Sequence, residues 1–390
     1  MTPPLDSRRE SSAVRFPPDG SHFRVAVLGL GNAGHTLHLP ALAGITSATV
    51  VGAVDQDESR RERAASVWKI PVFADFDEMV RDTKPNVIVI GTPPDRHFEL
   101  CLRSLAAGAH VICEKPFTSS IDEANQVIAA AAAAQRRVAL NHEFREMPIF
   151  RALRDAAARD GRSVVFAQVW QLMDLPPWTE PGWRGQMLHR TLYEAGVHIV
   201  DFLMALFGER PVSVTASVSS GGPSESDAVA LCTLEFSRGR LAQIVQDRLC
   251  KGPTQYFEVR AETPDASLRA SFGGRARMTA GLHRSTRPHL RIDYGVSGMA
   301  WEEVGHQRRR LCRNPKEPGL IATRSVFERS LDAFARGTLP PATAEHGRDV
   351  LEVIAAAYHS AAVGRRVELD GAECKSLVGM RMAASRVAIG

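Results

Sequence analysis

Between residues 23 and 141, short apolar runs alternate with longer stretches in which apolar residues recur every three or four positions. The runs at 23–28, 48–54, 71–73, 87–91, 109–113 and 137–141 read as strands. The periodic stretches at 33–43, 58–68, 75–82, 95–107 and 120–135 read as helices. Strands that are almost continuously apolar and separated by helices belong to a parallel sheet covered on both faces. Pro40 lacks an N–H and is expected to kink or restart the first helix. The alanine-rich 120–136 stretch is strongly helical, with Asp122 and Glu123 suited to its first turn.

Beyond about residue 146 the pattern changes. A helix (149–158) and a strand (163–170) lead into a Pro- and Trp-rich loop at 174–184, then a helix at 192–207 closed by Gly208. Residues 211–304 are mostly β-like, with turn signals at Ser220, Ser237 and Phe272, and helices at 321–336 and 345–362 follow. The expected organisation is an α/β domain built on a parallel sheet (23–146) and an α+β domain with a large, mostly antiparallel sheet (147–368). A disordered segment is expected at 1–22 and a C-terminal tail at 369–390.

The first strand opens into Gly29-Leu-Gly31-Asn32-Ala33-Gly34, and the second ends in Asp55, 21 residues beyond Gly34. In a dinucleotide fold the first glycine makes the tight turn, and the second lets backbone amides approach a pyrophosphate. The third packs helix on strand, and the acid after the second strand binds the adenosine ribose. The helix N-terminus at Asn32 and Ala33 faces the phosphates. Asp55 would repel a 2′-phosphate, with Asp57 adding to the effect, so NAD is expected over NADP. Arg60 and Arg61 are the neighbouring cations that work against this expectation.

The charge of +4 over 390 residues is mild, and aromatic residues are few, which argues against nucleic acid. No apolar run reaches the length of a membrane span. Six scattered cysteines without a CxxC pair suit reduced thiols in a cytoplasmic protein. The basic run at 306–310 suits a solvated edge or, alternatively, an anion subsite. His142 and Glu143 lack a third ligand at recognisable spacing, so no metal is expected.

Ligands of an open parallel sheet bind at the carboxyl ends of its strands. There stand Thr92, Pro93 and His97 after the fourth strand, and Glu114 and Lys115 after the fifth. All five are candidates for the cofactor site. Lys115, held by Pro116 in an extended backbone, would stabilise an oxygen gaining negative charge.

These segments, with His38–Leu42, Ala107–Phe117, Asn141–Arg145 and Gly196–Asp201, resemble the glucose–fructose oxidoreductase/inositol dehydrogenase/rhizopine-catabolism family of NAD(P)-dependent oxidoreductases. The resemblance implies hydride transfer between nicotinamide and a secondary alcohol of a sugar, cyclitol or sugar derivative. Lys115 would sit at the nicotinamide, and His198 would be the acid/base. Glu194 stands where the family has Asp. Leu188-His189-Arg190 replaces consecutive glycines common in the family and should reshape the substrate pocket. Arg145, Trp183 and Arg190 are candidate substrate contacts, Trp183 either as packing or as a sugar platform. Asp201 reads as a helical or interdomain contact. The family plan also implies a homodimer or homotetramer through the second-domain sheet. The alternatives for this chain are an NAD-recycling glycoside-cleaving enzyme of the same fold and a non-catalytic NAD- or sugar-sensing regulator.

Overall fold

The computed structural model describes residues 23–251, 255–273, 277–281, 289–293 and 298–383. The expected disordered segment at 1–22 lies outside them. The first sheet consists of β1 (Phe23–Leu28), β2 (Ala48–Val54), β3 (Val72–Phe73), β4 (Val87–Ile90), β5 (His110–Cys113) and β6 (Val138–Leu140). Its order is β3-β2-β1-β4-β5-β6 and its pairs are parallel. This is the doubly wound dinucleotide-binding order, with its switch point between β1 and β4. The crossover helices are α1 (Leu39–Ala43), α2 (Glu58–Trp68), α3 (Phe76–Thr83), α4 (His97–Ala106) and α5 (Ile121–Ala133). Asp57, Asp75 and Ser120 cap α2, α3 and α5 with their side chains, satisfying orphan N–H groups of the first turn.

The helix restarts at Pro40, one of the two outcomes expected of it. A π-turn over Gly34–His38 precedes α1, which carries Pro40 in its first turn. Proline is tolerated there because the first-turn N–H has no intrahelical partner in any case.

The second sheet has nine strands among the described residues, in the order β16-β15-β12-β11-β7-β10-β9-β8-β17. They are β7 (Phe166–Met173), β8 (Ser213–Ser219), β9 (Val229–Glu235), β10 (Leu241–Asp247), β11 (Gln255–Glu262), β12 (Ser267–Gly273), β15 (Met299–Val304), β16 (Gln307–Arg313) and β17 (Val367–Glu368). A separate hairpin joins β13 (Arg277–Gly281) to β14 (His289–Asp293). Every pair is antiparallel except β7 with β10. Strand β7 runs three residues later than its apolar pattern implied. Its inward Gln171 is a buried polar side chain, satisfied by Gln246 Nε2 at 2.6 Å from the neighbouring strand. A polar residue at an inward position hides the period of two.

The inner face of this sheet packs on α6 (Pro148–Ala157), α8 (Val197–Phe207) and α10 (Ala344–Val363), with β8 against α10 and Val169, Phe150, Phe202 and Phe257 in one core. Helix α8 ends at Gly208 in the left-handed region (φ +71°), as expected. Helix α9 (Pro318–Arg336) returns to the first domain, where Phe327 and Leu331 join the core under β1. A short helix, α7 (Trp183–Gln186), lies in the Pro/Trp loop, and α11 (Ala372–Lys375) follows β17. The expected tail therefore needs correction over 369–383. Leu369, Cys374 and Met382 are buried, and Met382 N–H donates to Ser119 O of the first domain at 2.8 Å.

Candidate functional site

The three glycines of the first turn have three different reasons. Gly29 has φ +91°, and a Cβ there would meet Gly91 O at 2.7 Å. A Cβ on Gly34 would lie 2.1 Å from Gly29 O, so turn and helix close only without it. Gly31 is different, since its nearest obstacle would be Arg60 Nη1 at 3.8 Å. Protein packing does not require a glycine there; a pyrophosphate approaching the backbone does. Asp55 follows β2 and accepts from Leu30 N–H (2.7 Å) and Asp57 N–H (2.9 Å), which pins it beside the turn. Arg60 stands 3.6 Å from both Asp55 and Asp57, and Arg61 is turned away onto the carbonyls of Asp55 and Gln56. Asn32 and Ala33 form the first turn of the helix. The residues fit a dinucleotide.

At the end of β4, Thr92 Oγ1 is buried without a hydrogen-bond partner among the described residues, as a ligand-facing hydroxyl would be. Pro93 carries the chain on into α4. His97 is fully buried, with its ring nitrogens 2.8 Å from Pro116 O and 2.9 Å from Thr92 O. It ties the two cofactor-side loops together from behind, which differs from the direct contact expected of it. Glu114 accepts from Asn141 Nδ2 (2.6 Å) and Lys115 N–H (3.1 Å), and lies 2.7 Å from His38 Nε2. Burial pushes its carboxyl up, but His38, Asn141 and the Lys115 charge outweigh that and hold it at about 2. Ionised Glu114 anchors the base of the loop. The Lys115–Pro116 bond is cis.

Lys115 reaches across to the second domain. Its Nζ donates to Glu194 O at 3.0 Å and lies 3.5 Å from Glu194 Oε1. Glu194 sits in a π-turn (Thr191–Gly196) that runs directly into α8 and places His198 one turn later. Burial pushes the Glu194 carboxyl up, and the nearby Lys115, Arg190 and Arg184 charges drive it well below the usual carboxylate range. His198 is pushed well below its ordinary value, first by burial, then by the Lys115 charge. Its imidazole is therefore neutral at physiological pH and available to take a proton. The ring stacks on Phe144 with centroids 4.2 Å apart.

Arg190, expected as a substrate contact, is a buried strut instead. Its guanidinium binds Glu180 in fork geometry (2.6 and 2.7 Å) and also bonds Glu194. Arg248 shares Glu180. Asp227, beside β9, collects the Thr191 and Leu192 N–H groups and the Tyr358 hydroxyl (2.9 Å), fixing the start of the π-turn. The Arg190 charge is thus balanced in place. Arg145, the second expected substrate contact, is likewise committed. It pairs with buried Asp201 and donates to Pro341 O at 2.9 Å. Asp201 also accepts from His346 (2.8 Å). Of the helical and interdomain readings, its pairing with Arg145 across the expected boundary at 146 fits the interdomain one. Trp183 is half-buried, with the Arg184 guanidinium 4.3 Å over its ring. The basic run lies on edge strand β16, where Arg309 and Arg308 face Glu302 and Glu303 and charge suits an exposed edge.

Three carboxylates of this cluster carry no signal in the sequence that points to their roles. Glu180 and Asp227 carry no local pattern, since their partners lie up to 68 and 131 residues away. Glu143 was weighed only as a metal ligand; it faces His198 Nε2 at 3.8 Å.

Comparison with known proteins places this geometry. Residues 23–142 match the model of an oxidoreductase family with an NAD-binding Rossmann fold, and residues 163–264 match the GFO/IDH/MocA C-terminal domain. The chain is 30% identical over 201 residues to inositol 2-dehydrogenase of an Arthrobacter species (49% of this chain, 56% of that protein). It is 30% identical over 191 residues to 1,5-anhydro-D-fructose reductase of Ensifer adhaerens (47% and 56%). The first such relatives are matched over little more than half their length. D-Apiose dehydrogenase of Paraburkholderia graminis matches at 25% over 91% of this chain and 92% of its own. Among solved structures, GenD2 from gentamicin A biosynthesis, in complex with NAD, shares the fold at TM-score 0.73 and 22% identity, covering 92% of this chain and 99% of that one. With both domains matched and the cofactor cradle in place, the chain belongs to the GFO/IDH/MocA family of oxidoreductases.

Proposed function

We propose that the protein is an NAD-dependent dehydrogenase acting on a secondary alcohol of a sugar, cyclitol or sugar derivative. The observation that carries this reading is the meeting of Lys115, ionised Glu194 and neutral His198 where β5 and the π-turn converge. Bound nicotinamide would supply the acceptor or donor of hydride. An ammonium has three donors; the Glu194 carbonyl takes one and Glu194 Oε1, at 3.5 Å, a second. The third can hold a substrate oxygen and stabilise charge building on it. Glu194 aims the ammonium, and His198 takes the hydroxyl proton. Names of relatives acting on inositol, apiose and anhydrofructose support a polyol or sugar substrate.

Asp55 beside the turn favours NAD. Arg60 is offset by two carboxylates, so at least about tenfold weaker binding of NADP is expected in a fluorescence titration. The sheet face turned away from the helices supports a homo-oligomer. Leu231 and Leu241 are 48% and 39% exposed there, beside half-buried Trp170 and Val245. The deciding assay mixes protein, NAD and a panel of sugars and cyclitols and follows NADH absorbance, with Lys115→Met alongside. Turnover lost in the variant supports the reading. Turnover retained by Lys115→Met, or sugar release without net NADH, would overturn it.

A further inference from the structure

His198 does not stand alone in its pocket. Glu143, in the turn after β6, points Oε1 at His198 Nε2 from 3.8 Å, while its Oε2 is buried with no hydrogen-bond partner among the described residues. Its side chain is 13% exposed and that of His198 8%. The gap is too long for a direct hydrogen bond, and an oxygen about 2.8 Å from each group would have to sit to the side of the line joining them. An unpaired buried carboxyl is costly unless it has a task or a partner that arrives later.

We infer that Glu143 and His198 act as one proton-holding pair, bridged by an oxygen lying beside the gap, and that the charge state of Glu143 sets which direction of the reaction the site is loaded for. The inference rests on the dehydrogenase reading above. In alcohol oxidation the substrate O–H bond breaks, its electron pair stays on oxygen, and its proton passes to the pair. The hydrogen on carbon leaves with its electrons to the nicotinamide acceptor. In ketone reduction the pair returns the proton to oxygen. The pair without its extra proton is carboxylate plus neutral imidazole and is set for oxidation; the loaded pair is set for reduction.

The surroundings favour a loaded pair at neutral pH. Burial pushes Glu143 up to about 8, and the Glu114 charge adds to it, against the pull of Lys115. Asp201, on α8, also faces it. His198 is faced by Lys115, His142, Glu194 and Glu114. Arg145 and His346 act on the same cluster through His142, itself held at about 4 by burial. Lys115 is the cation common to both members. Glu143 is thus a positioning and proton-relay residue acting through His198.

The test uses the full chain with NAD bound and histidine labelled with nitrogen-15. The His198 ring signals, assigned by their loss in His198→Asn, are followed from about pH 5 to about pH 10. A step near pH 8 is expected in the parent protein, where Glu143 ionises beside a neutral ring, and no step in Glu143→Gln. Glu143→Asp should restore a step at shifted pH, and NADH affinity should change less than about twofold in both variants. With a substrate in hand, oxidation should rise about tenfold per pH unit below the step, and this dependence should vanish in Glu143→Gln. A parent spectrum without the step, or a step that persists in Glu143→Gln, overturns the pair. Neither result touches the dehydrogenase reading, which stands or falls on NADH formation and Lys115→Met.

Discussion

The two halves of the site are held by different physics. On the cofactor side the work is done by backbone: three glycines, a helix start and one pinned carboxylate, all within residues 29–55. On the substrate side it is done by charged side chains drawn from the β5 loop, the Pro/Trp loop, the π-turn and the strands β9 and β10. Backbone geometry is local and tolerates change around it. A buried charge network is held only by its own completeness, because each partner removed leaves another charge desolvated.

The contrast can be broken in order of expected effect. Lys115→Met should lower turnover by about a thousandfold or more while leaving NAD affinity nearly intact, since the lost group stabilises charge only as the reaction proceeds. Equal losses in both would place Lys115 in binding instead. Arg190→Leu should cost about 3–5 kcal/mol in urea unfolding by leaving Glu180 and Glu194 short of a buried cation. A neutral result would mean water already reaches this network.

Two glycine substitutions sharpen the cofactor half. Gly34→Ala forces a methyl against Gly29 O and should destabilise the fold by about 1–3 kcal/mol. Gly31→Ala meets nothing closer than Arg60, so the melting temperature should barely move while NAD affinity falls about tenfold or more. If both variants lose stability alike, Gly31 serves packing after all.

The smallest effect is the pH dependence of stability. His142 is held at about 4, against about 6.5 in an unfolded chain. The unfolded state therefore binds the extra proton between these values, and stability falls as pH drops through that window. Glu114, held at about 2, extends the loss below its unfolded value of about 4.3. Glu143 has the opposite sign. The folded state keeps its proton up to about 8, so stability also falls as pH rises from the ordinary carboxylate range toward that value. Chemical unfolding across pH should give a broad maximum between about pH 4.5 and about pH 6.5, where the His142 and Glu143 slopes offset each other, with the alkaline slope reduced in Glu143→Gln.

Legibility in the chain followed the range of the forces. Helix α2 matches its expected 58–68 to the residue, because Asp57 caps its start and neither glycine nor proline interrupts it. Strand β7 was misplaced because Gln171 faces inward, and only its partner on β10 explains that. The π-turn before α1 was not readable at all, since Pro40 signals a disturbance without saying which kind.

What the sequence by itself determined is what depends on neighbours in the chain. That covers the strand–helix alternation, the Gly29–Gly34 turn with Asp55, Lys115 at a strand end, and His198 on its helix. Tertiary structure alone decided how buried charge is balanced. It committed Arg190 and Arg145 to buried ion pairs, set Lys115 against Glu194, and turned Glu143 toward His198. The reason is physical: hydrogen-bonded turns are paid for within a few residues, whereas a desolvated charge must find its counterion wherever the fold brings one.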